Sequence, residues 1–237
     1  MPGALGNVKG RLGPPRALPD RTAYGADVQR KRVQVRREEI LSATVKQIQR
    51  VGIDSLRIAD VAGAMSVSPA LLIYHFQTKE NLVAAAFRHA AERDLLKMAR
   101  IVAGSASAPA RLMEALRWYA PSGKARGWTL WIDGWSSAMR DAMLAEVISD
   151  LDARWRQSVA DLIAEGIEAG DFATDDPMAA ATRITALLDG LAVTALVHKR
   201  GVSRDLVGDW LARQVSWELE VAPEVLGSPV GRRRGVS

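Results

Sequence analysis

The chain has 237 residues, 48% hydrophobic and 25% charged, which suits a folded protein of one compact unit or of a small domain joined to a larger one. It has no cysteine, and its three histidines, His75, His89 and His198, are far apart, so disulfides and thiolate metal sites are excluded and neither a metal nor a cofactor is expected. No apolar run reaches the ~20 residues of a membrane span: the nearest, 184–197, contains Asp189, and no signal-peptide core follows the early basic residues, so a membrane-free, cytoplasmic protein is expected.

The net charge of +5 is unevenly placed. Residues 1–37 hold nine Lys/Arg against two Asp/Glu, a net of +7, leaving −2 for the other 200 residues. Repeated Gly and Pro, from Gly3 to Pro19, oppose regular structure, and residues 1–33 are expected to be a disordered basic arm suited to phosphate contact. Helical periodicity begins near Val35, with Ile40, Leu41, Thr44, Val45, Ile48 and Val51 at spacings of three and four, and Gly52 stands where a helix stop belongs. A short helix is predicted over 57–65, interrupted at Ser66-Val67-Ser68. Ser68-Pro69 is a restart signal, because proline's fixed φ suits a first helical position. The third helix spans 69–76, and Thr78 is expected to cap a long fourth helix over 79–102.

Beyond a small-residue break at 104–109, helices are predicted over 110–120, 125–139, 141–168, 177–200 and 204–220. Asp176-Pro177 repeats the cap-plus-proline signal, and Gly170 and Gly201 are expected stops. Residues 223–237 read as a flexible tail. The predicted fold is all-α, without strands or internal repeats.

Three helices, the second pair joined by a three-residue turn, have the layout that lays one helix into the major groove of DNA. The sequence Gly52-Ile53, Ile58-Ala59-Asp60-Val61-Ala62, Val67-Ser68-Pro69, Leu72-Ile73-Tyr74-His75-Phe76 and Lys79-Glu80-Asn81-Leu82 closely resembles the DNA-binding signature of the tetracycline-repressor (TetR) family, in one register over about fifty residues. The resemblance implies a DNA-binding domain over 34–94, with its helix-turn-helix near 57–76, and a helical effector-binding and dimerisation domain over 95–222. Carried over residue by residue, it has Ser68, Pro69, Ala70 and Leu71 facing base edges, with Ile73 and Tyr74 on the same side. His75 and Lys79 would grip phosphates, and Arg57 would approach the backbone. Val61, Ala62, Val67, Leu72 and Phe76 read as core.

Two positions depart from the family pattern. Ser66 stands where a turn glycine is usual, and is expected to carry a left-handed backbone. Arg57 replaces the usual threonine, so the helix cap is expected to shift to Ser55. The recognition helix also lacks Arg, Asn and Gln, the side chains that pair bidentately with guanine or adenine. Specificity is therefore expected from apolar contacts, DNA shape and the arm residues Arg30, Lys31, Arg32, Arg36 and Arg37.

In the body, Trp128, Trp131 and Trp135 share one side of a helix, followed by Met139; Trp118, Met143 and Trp155 lie on neighbouring helices. These residues read equally as a packed aromatic core or as an effector cavity. The stretch 128–141, with Leu151-Asp152 and Trp155, resembles the effector domains of a TetR branch that includes choline-responsive betaine-pathway repressors. Aromatic rings near an acid hold cations; Asp133 and Asp189 are the candidate acids, each also readable as a hydrogen-bonded or interfacial residue. The helix over 177–200 is apolar nearly all round, and the last helix carries a stripe of Leu206, Trp210, Arg213 or Gln214, and Trp217. Together they are expected to form a homodimer seam. The reading is a dimeric regulator, a repressor released from a palindromic double-stranded operator by an unidentified small molecule. An activator is left open. No nucleophile–base set or phosphate loop points to an enzyme, and a purely structural adaptor leaves the recognition helix without a role.

Overall fold

The computed structural model describes residues 21–121, 126–198 and 203–226, with side chains described for 36–121, 127–198, 203 and 206–226. All regular elements among them are helices: α1 (Arg21–Val51), α2 (Ile58–Ala64), α3 (Pro69–Phe76), α4 (Lys79–Val102), α5 (Ala108–Tyr119), α6 (Arg126–Ala138), α7 (Ala142–Glu168), α8 (Pro177–Leu196) and α9 (Arg204–Glu218). The all-α prediction holds.

Two boundaries differ by several residues from expectation: α8 ends at Leu196 rather than near residue 200, and the start of α1 differs more. Helix α1 starts at Arg21 rather than near Val35, so residues 21–33 of the expected disordered arm are helical, while residues 1–20 lie outside the described residues. The cause is compositional: between Pro19 and Pro69 the chain has no proline, and Ala, Gln, Arg and Lys recur over 21–37, residues that lose little entropy in a helix. Among the described side chains, the first buried residue of α1 is Ile40.

Most stops and starts follow from local chemistry. Gly52 (φ +83°) and Gly170 (φ +78°) adopt the left-handed backbone that ends α1 and follows α7. The Thr78 hydroxyl accepts from the Asn81 amide at 3.1 Å, and the Asp176 carboxylate accepts from the Ala179 amide at 2.9 Å. Asp141 caps α7 through the amides of Met143 and Leu144. Ser66 takes φ +55°, as the missing turn glycine implied. The expected shift of the α2 cap to Ser55 does not occur: Arg57 occupies the cap position, with no side-chain hydrogen bond. Gly201 lies outside the described residues.

The core is continuous from Ile40, Leu72, Phe76 and Phe87 in the N-terminal part to Leu112, Leu151, Ile163, Ile184 and Leu211 beyond. Helix α7 packs against α4, α5, α6 and α8, and α8 in turn packs on α9. Helix α8 is in fact long and apolar enough to cross a membrane, with a mean hydropathy of 1.3 over its best window. One face of it packs into the core, burying Ala180, Ala181, Ile184, Leu188, Leu191 and Ala192, while Met178, Thr182, Arg183, Ala186 and Gly190 are exposed.

Candidate functional site

The chain bends by 118° between α2 and α3, within the usual range for a helix-turn-helix. Val61, Ala62, Leu72 and Phe76 lock the pair from inside. Outward, α3 presents Ser68, Pro69 and Ala70 at its start, then Ile73 at 50% exposure and Tyr74 at 78%. Two bulky side chains are thus exposed on a short helix anchored from inside. Leu71 and His75 are half-buried, and Arg57 is exposed. Lys79 does not stand free: its ammonium donates to the Asp54 carbonyl at 2.9 Å. Of the expected arm contacts, Arg36 and Arg37 are half-buried, whereas the side chains of Arg30, Lys31 and Arg32 lie outside the described residues.

Within the body, six aromatic residues from three helices meet. Tyr119 of α5 stacks on Trp155 of α7 with centroids 4.1 Å apart, and lies 4.7 Å from Trp128 of α6. Trp135 bridges Trp128 (6.2 Å) and Trp131 (6.1 Å), and Trp118 tilts against Trp155 at 6.2 Å. The Trp128 indole N–H donates to the Tyr119 carbonyl at 2.8 Å, fixing α6 to the end of α5. Trp155 differs: its indole Nε1 is buried and has no hydrogen-bond partner, a cost of about 1–3 kcal/mol for a donor shut away from water.

Three carboxylates flank these rings: Asp94 of α4, Asp152 of α7 and Asp189 of α8. All three raise the Tyr119 phenol, which burial already pushes well above its ordinary range. Burial raises the Asp94 carboxyl against the opposing Arg93 and Lys97, and raises Asp152 against Arg156, which it meets at 2.6 Å. Asp189 is pushed furthest, to about 7, by burial and then by the Asp152 charge, with Arg156 opposing. Lys97 places its ammonium 4.4 Å from the Trp118 ring centre. A groove of about 580 Å³ between α1, α4 and α6 reaches this edge of the cluster, lined by Val45, Phe87, Asp94, Lys97, Trp118 and Trp131 among others.

The structure thus brings Trp118, Trp128, Trp131, Trp135, Trp155 and Asp189 together, and leaves three expected pocket residues elsewhere. Asp133 turns from the rings and accepts the Ile53 amide at 2.7 Å. Met139 is 77% exposed and Met143 44%, both at the α6–α7 turn, where the helix stripe runs past the end of the packed interior. Tyr119, Asp94 and Asp152 are the site residues that the sequence reading missed. Each had a signal: Ala91, Asp94, Met98 and Ile101 fall on one helical stripe, as do Ile148, Asp152, Trp155 and Val159, so both acids interrupt buried faces. Tyr119 continues the stripe of Leu112 and Leu116.

On α9, Leu206, Trp210 and Trp217 are exposed, the last at 78%, together with Arg213, while Gln214 is half-buried. Val207, Leu211 and Val215 turn inward. Arg183 of α8 holds Glu218 of α9 through two guanidinium nitrogens.

Comparison with known proteins agrees with both halves of the chain. Residues 40–86 match the family model of bacterial regulatory proteins of the tetR family, and residues 108–219 match that of the BetI-type transcriptional repressor, C-terminal. The HTH-type transcriptional regulator BetI of Burkholderia ambifaria is 30% identical over 166 residues, covering 67% of this chain and 80% of that protein. BetI of Pseudomonas paraeruginosa is 24% identical over 190 residues, covering 77% and 94%. Among solved structures, a transcriptional regulator from Saccharomonospora viridis in complex with choline superposes with a TM-score of 0.71 at 27% identity, covering 78% of this chain and 98% of that one. The chain belongs to the TetR family, as a DNA-binding transcriptional regulator of the repressor type with a BetI-type C-terminal domain.

Proposed function

We propose that this protein is a homodimeric cytoplasmic repressor that leaves a palindromic operator when a small organic cation binds the aromatic cluster of its body. One observation carries the cation reading: the charge balance around the rings. Asp94 is opposed by Arg93 and Lys97, and Asp152 by its bonded Arg156, whereas Asp189 has only the shared, more distant help of Arg156. One carboxylate is left over, near enough to Tyr119 to raise its phenol. A monocation settles there by cation–π attraction and by relieving the buried charge. Choline, bound by the Saccharomonospora viridis regulator, has this chemistry.

The expected DNA contacts are Ser68, Pro69, Ala70, Leu71, Ile73 and Tyr74 on the bases. Arg57, His75 and the α1 residues Arg30, Lys31, Arg32, Arg36 and Arg37 act on phosphates or the minor groove. Helices α8 and α9 supply the dimer seam, because the exposed Leu206, Trp210 and Trp217 form an apolar stripe that a second copy would cover. Release is a population shift, no larger than the effector's preference between the two dimer states. A mobility-shift assay with DNA from upstream of its own gene tests the reading, with and without millimolar choline. Retarded DNA freed by choline supports it. Binding that choline leaves unchanged would remove the cation effector, and a monomer by light scattering would remove the seam.

A further inference from the structure

We infer that Asp133, Ser137 and Arg140 are positioning residues through which α6 passes the state of the aromatic cluster to the DNA-binding head. Helix α6 has two working faces. Trp128, Trp131 and Trp135 lie in the cluster. The other face and the turn just beyond it grip the loop between α1 and α2. The Asp133 carboxylate accepts the Ile53 amide at 2.7 Å; the Ser137 hydroxyl lies 3.4 Å from Asp54 Oδ1; and the Arg140 guanidinium meets Asp54 Oδ2 at 3.1 Å.

The loop needs this grip for a backbone reason. Gly52 closes α1 in the left-handed conformation (φ +83°) and its amide still bonds the Ile48 carbonyl. The chain then reverses, so the Ile53 amide has no helical carbonyl to meet. Asp133 supplies a charged acceptor, the stronger kind of hydrogen bond, at a half-buried position. A side chain at Gly52 would place its Cβ 3.6 Å from that same carboxylate. From the other side, Lys79, at the start of α4, donates to the Asp54 carbonyl. Three helix ends therefore meet at residues 52–54: the end of α1, the start of α4, and α6. The loop leads directly into α2, so a shift of α6 along its axis is felt at the helix-turn-helix. The exposed Arg140–Asp54 pair contributes little alone; the Asp133 bond is the stiff link. Helix α6 packs closely on α4, since a Cβ at Gly134 would come within 2.4 Å of the Phe87 ring.

The inference takes the identity of the occupant from the proposed function, but the mechanical link is tested without any effector. DNA affinity is measured by fluorescence anisotropy on a duplex selected by the wild-type protein from a random pool. The proteins are Trp135→Ala, Asp133→Ala, Asp133→Asn, and each Asp133 variant combined with Trp135→Ala. If α6 is the relay, Trp135→Ala alters affinity only while Asp133 is present. The Trp135→Ala/Asp133→Ala variant then departs at least fivefold from the product of the single effects, and Asp133→Asn, which keeps an acceptor oxygen, recovers most of the coupling. Agreement with the product within twofold overturns the inference, since independent sites add. Should Asp133→Ala fail to fold, the Ser137→Ala/Arg140→Ala variant takes its place in the cycle, with the same criteria. In parallel, choline titration of the wild type judges the effector reading by itself. If choline leaves DNA binding unchanged, that reading fails while the cycle still decides the relay.

Discussion

Replacing Asp189 by asparagine should flatten the pH dependence of stability. In the folded protein this carboxyl holds its proton up to about pH 7, chiefly because burial disfavours its charge and Asp152 repels it; its ordinary value is 3.8. Between those two values the folded state binds more protons than the unfolded state, so raising the pH costs stability across that window. For one such group, linkage between pH 5 and pH 8 gives a loss of about 2–3 kcal/mol, which for a chain of this size lowers the melting temperature by roughly 5–10 °C. Asp152, itself raised by burial, acts in the same direction, so the quantity to read is the difference between wild type and Asp189→Asn. Melting curves at pH 5, 6, 7 and 8 should converge at the acid end, with the variant the more stable at pH 8. Parallel profiles within about 1 °C would refute the reasoning. A bound cation favours the ionised carboxylate, so choline affinity should also rise with pH up to about 7 in the wild type and stay level in the variant.

Trp155→Phe keeps the ring stacked on Tyr119 and removes the buried, unpartnered N–H. If that N–H donates to the hydroxyl of a bound choline, calorimetric titration of the variant should show the choline-over-tetramethylammonium preference shrinking toward unity. Gly134→Ala drives a Cβ to 2.4 Å from Phe87 and 3.1 Å from Ile148. It should cost about 1–3 kcal/mol in urea unfolding, whereas Gly127→Ala, which meets nothing within 4 Å, should cost none. Tyr74→Ala, at a side chain 78% exposed, should weaken operator binding at least tenfold in anisotropy titrations while moving stability by no more than about 0.5 kcal/mol.

The readable parts of this protein were those whose causes are local. Thr78 and Asp176 cap helices because a short oxygen-bearing side chain at that position reaches amides two or three residues on. Ser66 takes a left-handed backbone because the turn requires one, whatever residue stands there. The buried stripes of α2 and α3 follow from spacing. What the sequence left obscure depends on partners distant along the chain. Asp133 sits between two tryptophans of the cluster, yet bonds an amide 80 positions earlier. Lys79 matches a phosphate-gripping position, yet its ammonium bonds a carbonyl 25 positions earlier. Helical rotation decides the first case: Trp131, Asp133 and Trp135 are close in sequence, but successive residues are about 100° apart on a helix, so the acid points away from the ring stripe. The start of α1 was hidden because residues 21–33 carry no sustained apolar period to read.

The acids of the aromatic cluster give the site its specificity precisely where they weaken the fold. Asp94, Asp152 and Asp189 each occupy a stripe whose other members are buried, and each is pushed toward its neutral form by that burial. An apolar residue at any of the three would pack without a desolvation penalty. Two of the charges are answered by neighbouring arginines or lysine, which leaves the third to be answered from outside. A neutral effector would leave Asp189 as costly as before, and an anion would make it worse. A cation with several hydrogen-bond donors would gain less from ring faces than from water. Under the proposed function, the arrangement selects a single positive charge with an apolar surface. If that charge lands against α6, whose opposite face holds Ile53, the binding energy that stabilises Asp189 becomes available to move the loop before α2.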